Sequence, residues 1–86
     1  MEREQMMEIL TDSEALTADG LDDCIIGIGE RCSQSPICVY DRDKVIEKLT
    51  NRDGMTVEEA EEFFEYNIVG AWVGEGTPMF LTKLEE

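Results

Sequence analysis

Glu58, Glu61, Glu62 and Glu65 follow i, i+3, i+4, i+7 spacing, which on a helix puts four carboxylates along one face. At a helical rise of ~1.5 Å per residue the row is ~10 Å long, about three base steps of a nucleic-acid strand at ~3.4 Å each. Such a row can imitate a few phosphates, but not a whole duplex site. To extend it, the chain offers the acids of its N-terminal third, Asp12, Glu14, Asp19, Asp22, Asp23 and Glu30, or the same row on a symmetry mate. The simpler reading of the same residues is a solvated helix face whose charge serves solubility.

The overall balance favours charge as the property that matters. Twenty-one acids stand against seven bases with no histidine, for a formal charge of −14 over 86 residues. That excess repels nucleic acid and anionic membrane and attracts basic protein surfaces. It is distributed unevenly: residues 1–30 carry −8, residues 31–52 carry +2 and residues 53–86 carry −8. Lys44, Lys48 and Arg52 recur at four-residue steps on the helix expected before the acidic one, so some of the glutamate row is expected to pair with them.

Other chemistries find little support. Without histidine there is no histidine-based triad or imidazole metal site, and no phosphate-binding loop of the Gly-x-x-x-x-Gly-Lys type occurs. Asp19, Asp22 and Asp23 do not fall at the positions of a calcium-binding EF-hand loop. Two helices joined by a glycine turn resemble a helix-turn-helix, but a groove-reading helix needs Arg, Lys, Asn or Gln where this one has glutamate. The expectation is a protein with no enzymatic activity, no cofactor and no direct contact with nucleic acid. Cys24, Cys32 and Cys38 match no Cys-x-x-Cys pattern and read as buried reduced thiols, with a Cys32–Cys38 bridge open to an oxidant. No apolar run approaches the ~20 residues of a membrane span, and the start of the chain lacks the pattern of a secretory signal, so cytoplasmic residence is expected.

The elements that must position the glutamates are legible. Thr56-Val57-Glu58-Glu59 has the form of a capping box and opens their helix, whose apolar stripe is Val57, Ala60, Phe64, Ile68 and Ala71, widened by Phe63. This helix is expected to run to Val69 or Trp72. Before it, Asp41 caps a helix with Val45, Ile46 and Leu49 inward, closed by Gly54. Residues 24–28 read as a central strand, residues 37–40 as its hairpin partner and residues 79–82 as a third strand. Met6, Met7, Ile9 and Leu10 suggest a short N-terminal helical segment. The fold class expected is therefore α+β in a single domain spanning residues 1–86. It has a three-stranded antiparallel sheet with two helices on one face, in the order β-β-α-α-β after the N-terminal segment.

The stretch from Arg52 through Asp53-Gly54-Met55-Thr56-Val57-Glu58-Glu59-Ala60 to Asn67, followed by Gly70-Ala71-Trp72-Val73-Gly74-Glu75-Gly76-Thr77-Pro78, resembles a group of short acidic proteins of tailed phages and prophages. The resemblance covers a third to a half of the chain and carries no assigned chemistry. It implies viral or prophage origin and residence in the host cytoplasm, and by analogy an inhibitor of host defence. Together with the charge, it leads to an acidic interaction protein that blocks a basic, nucleic-acid-handling host protein such as a restriction or CRISPR effector. Glu58, Glu61, Glu62, Glu65, Asp22 and Asp23 are the expected binding residues. The alternative is a small self-associating module, a homodimer through Phe63, Trp72 or a sheet edge, whose charge serves solubility.

Overall fold

Gly54 adopts a left-handed backbone, φ +71°, and this single joint separates the two helices on which the protein is organised. A residue with a Cβ disfavours that conformation, which is why a glycine follows directly after the last helical turn. The fold is that of a computed structural model describing residues 1–18, 20–70 and 74–85. The expectations resting on Asp19, Ala71 and Trp72 lie outside the described residues.

The chain forms α1 (Arg3–Asp12), a 3-10 turn (Asp22–Cys24), β1 (Ile25–Gly29), β2 (Ile37–Asp41), α2 (Arg42–Asp53), α3 (Val57–Phe63) and β3 (Met79–Leu81). Between α3 and β3 the helix continues as a wider π-helical turn over Phe64–Val69. The class is α+β, as the order of sequence patterns implied. Among the described residues no helix is long and apolar enough to cross a membrane.

The sheet departs from expectation in two respects. It is mixed: β1 pairs antiparallel to β2, but β3 pairs parallel to β2, with Val39, Tyr40 and Asp41 opposite Met79, Phe80 and Leu81. A hairpin forces antiparallel strands, whereas the α2–α3 pair is a crossover, and residues 42–78 far exceed the roughly dozen residues that a parallel return needs. The central strand is also β2 rather than β1. All five β2 residues are buried, while β1 contains two glycines and an extra residue. Ile25 faces Tyr40 and Gly27 faces Val39, so Ile26 is a β-bulge and its side chain is exposed. Cys24 lies in the 3-10 turn that leads into β1.

One buried cluster joins the layers: Met6 and Leu10 of α1, Ile25, Cys38 and Tyr40 of the sheet, Val45, Ile46 and Leu49 of α2, and Ala60 and Phe64 from the second helix. The buried stripe of that helix is narrower than its sequence implied. Val57 is 58% exposed and Phe63 38% exposed, because burial begins one turn in, at Ala60, and follows the single line Ala60, Phe64, Ile68. Cys24 and Cys38 are buried, their thiols held above the ordinary range by loss of solvent, whereas Cys32 is exposed in the β1–β2 loop and all three are free.

Candidate protein-binding surface

The start of α3 is fixed by the reciprocal cap read from the sequence. The Glu59 amide donates to Thr56 Oγ1 at 3.2 Å and the Thr56 amide donates to Glu59 Oε1 at 3.0 Å. The bond from the Thr56 amide, and then the Thr56 hydroxyl, hold the Glu59 carboxyl below its usual range and turn it back toward the backbone, away from the row beside it. Glu58, Glu61, Glu62 and Glu65 are all exposed on the helix and its π-helical continuation.

The far end of the row is anchored. The Arg42 guanidinium carbon sits 5.2 Å from the centroid of the Phe64 ring, and Arg42 Nη2 reaches Glu65 Oε1 at 3.9 Å. One arginine thus lies against the buried ring and near the exposed carboxylate of the same turn, the latter beyond hydrogen-bond distance. The turn closes with the Gly70 amide donating to the Glu65 carbonyl at 3.1 Å, a five-residue span. A Cβ at Gly70 would stand 3.1 Å from the Glu65 carbonyl oxygen and 3.2 Å from that of Tyr66, a tight fit that glycine avoids. Wide turns of this kind occur mostly as single insertions in α-helices.

Asp22 and Asp23 open the 3-10 turn, away from the row. Lys48 Nζ donates to Asp23 Oδ1, and this bond holds the Asp23 carboxyl below its usual range. The Asp22 carbonyl accepts from Arg3 Nη1 at 3.1 Å. Lys48 and Arg42 are six positions apart, about 120° around a helix, so Asp23 and Glu65 attach to different sides of α2. The six expected binding residues therefore fall into two groups: four on the second helix and two across the basic stripe.

Pairing of that stripe with the glutamate row is not what forms. Arg52 instead chelates its neighbour Asp53 through Nε at 2.9 Å and Nη2 at 3.2 Å, and gives Nη1 to the Gly20 carbonyl. Lys44, Lys48 and Arg52 line a hollow of about 480 Å³ with Asp23, Glu47 and Asn51. Among the described residues Glu58, Glu61 and Glu62 have no ion-pair partner, and only Glu65 of the row has one.

Tyr66 belongs to this surface and was not read from the sequence. Its side chain is 82% exposed, one helical turn beyond Glu62. Two positions past Phe64 is about 200° around a helix, so the placement of Phe64 in the core already required Tyr66 to point outward. Arg42 had no such signal, since its partners are set by how the two helices cross.

Comparison of the chain with protein-family models, curated proteins and solved structures found no match.

Proposed function

We propose that this chain is a non-enzymatic interaction protein that lays the acidic face of α3 into a basic groove of a host nucleic-acid-handling defence protein and blocks access of DNA or RNA. The observation that carries the reading is the state of Glu58, Glu61 and Glu62. They stand exposed without a cation among the described residues, while Arg42, Lys48, Arg52 and Lys83 are engaged with other acids. Charge left unneutralised within the chain is available to a partner, and it steers association by its long-range field. The resemblance to phage proteins points to the same class of partner.

The test uses Glu58→Lys, Glu61→Lys and Glu62→Lys together, leaving Glu65 with Arg42. Restriction and CRISPR effector complexes, purified from bacterial hosts, are assayed for duplex cleavage with increasing amounts of the chain. The reading expects inhibition by the wild type, relieved by raising the concentration of the cleavable duplex, and loss of inhibition by the triple variant at unchanged circular dichroism. Association should slow with salt, as exposed charges are screened beyond ~8 Å at physiological ionic strength. Inhibition retained by the triple variant would sink the reading, as would a mobility shift of duplex DNA by the chain itself.

A second reading, self-association with charge serving solubility, is favoured by the exposure of Tyr66 and Phe63. A sedimentation experiment with Tyr66→Ala separates it: a dimer lost in the variant supports that reading, and a monomeric wild type removes it.

A further inference from the structure

Past Pro78 the chain is held by one short edge strand, the Phe80 ring and one ion pair. β3 has three residues and pairs only with β2. Met79 and Leu81 on either side of its centre are 39% and 42% exposed. Phe80 alone packs inward, with its ring 5.3 Å from Tyr40 in a stacked arrangement and 5.1 Å from Phe64 edge-on. Even Phe80 is not enclosed, because a cleft of about 300 Å³ runs past Pro78 and Phe80 on the side of Leu16 and Ile68. Beyond the strand, Lys83 Nζ meets Asp41 Oδ2 at 2.9 Å.

Asp41 is an unusual anchor. Its other oxygen, Oδ1, caps α2 by accepting from the amides of Asp43 at 3.0 Å and Lys44 at 3.3 Å. The residue is only 1% exposed, yet it lies shallow in the fold, under Lys83. A carboxylate sealed from water needs a charge partner or renewed access to solvent. Loss of Lys83 therefore favours lifting the strap, since opening rehydrates Asp41 while the cap on α2 stays in place.

We propose that residues 79–83 form a strap that detaches as a unit while β1, β2 and α2 stay folded, and that its seating sets the turn at the end of the acidic helix. Phe80 touches Phe64, Phe64 carries Arg42 on its other contact, and Arg42 holds Glu65. Withdrawal of Phe80 frees Phe64 to move and loosens the five-residue closure from Gly70 to Glu65. The acidic row thus has two states, with its last carboxylate held or released.

Amide hydrogen exchange on the intact chain tests this, with Lys83→Gln as the variant, since the lysine is an exposed side chain whose loss leaves the core intact. Of the adjacent amides of Phe80 and Leu81 on this edge strand, one donates to β2, and that one is expected to exchange in the wild type at least about tenfold faster than the amide of Cys38, as for a local opening distinct from global unfolding. Lys83→Gln is expected to speed that β3 amide and Gly70 together by roughly tenfold while Cys38 stays within about twofold. Asp41→Asn, which keeps a capping oxygen and leaves no buried charge to rehydrate, should speed the same sites less than Lys83→Gln does. Exchange of the β2-bonded β3 amide at the rate of Cys38, or equal acceleration of all sites in the variant, would show that the strap opens only when the whole fold does. Acceleration of that amide without Gly70 would overturn the link to the acidic helix.

Discussion

Asp41 and Tyr40 adjoin on β2 and impose opposite pH limits. The Lys83 ammonium, and then the amides at the start of α2, hold the Asp41 carboxyl below its usual range. Asp23 and Asp53 are lowered likewise by Lys48 and Arg52. A depressed folded-state value means that stabilisation is complete above the ordinary carboxylate range, near pH ~4, and is lost as pH falls through the lower folded values. Melting temperatures from pH 6 to pH 2 are expected to fall at the acid end, and less steeply in Asp41→Asn. Burial pushes the Tyr40 phenol up to about 12, while its oxygen accepts the Ala18 amide at 2.7 Å. Here the stabilisation is complete below the ordinary tyrosine value of ~10 and is lost as pH rises through the folded one. Tyr40→Phe leaves the Ala18 amide without its acceptor, so it is expected to cost about 1–3 kcal/mol at neutral pH. The same variant should show a flatter decline in stability between pH 9 and pH 12. A denaturant series at each pH measures both effects.

The second helix is held by Ala60 and Phe64, and its exposed first turn adds little. Phe64→Ala is expected to lower stability by about 3–5 kcal/mol, since it empties a site that both Phe80 and Arg42 contact. Val57→Ala, at an exposed position, should stay within about 0.5 kcal/mol. Urea melts of the two variants separate the buried line from the rest of the apolar pattern. Where side chains answer to neighbours within a few residues, the sequence was a good guide: the Asp41 cap, the Gly54 closure, the Thr56–Glu59 box and the exposed glutamates all follow from local hydrogen bonding and helical spacing. Direction of β3, centrality of β2 and the partners of Lys48, Arg52 and Lys83 depend on contacts between segments far apart in the chain. Local periodicity is blind to these. Val57 and Phe63 fell between the two, apolar at helical spacing yet beyond the reach of the sheet. For the candidate surface, spacing located the four glutamates, but only the crossing of α2 and α3 shows that Arg42 restrains one of them.

At the scale of the molecule, a net charge of −14 on 86 residues sets repulsion among distant acids against attraction within the ion pairs of the described residues. Salt shortens the screening length from ~30 Å at 0.01 M to ~10 Å at 0.1 M, which weakens repulsion among distant acids more than attraction within touching pairs. The melting temperature at pH 7 is therefore expected to rise over that interval, and a fall would mean that attractive pairs dominate. The sheet edges bear on a different hazard. An open strand edge is a template on which further chains can stack into cross-β fibres, provided its donors and acceptors alternate without interruption. On β1 the extra residue at Ile26 breaks that alternation after one position, and on the opposite side β3 offers only three residues. Each free edge is thus too irregular or too short to propagate growth. With β3 seated, a concentrated solution of the chain is therefore expected not to seed fibrils despite exposed Ile26, Met79 and Leu81, which a thioflavin T time course checks.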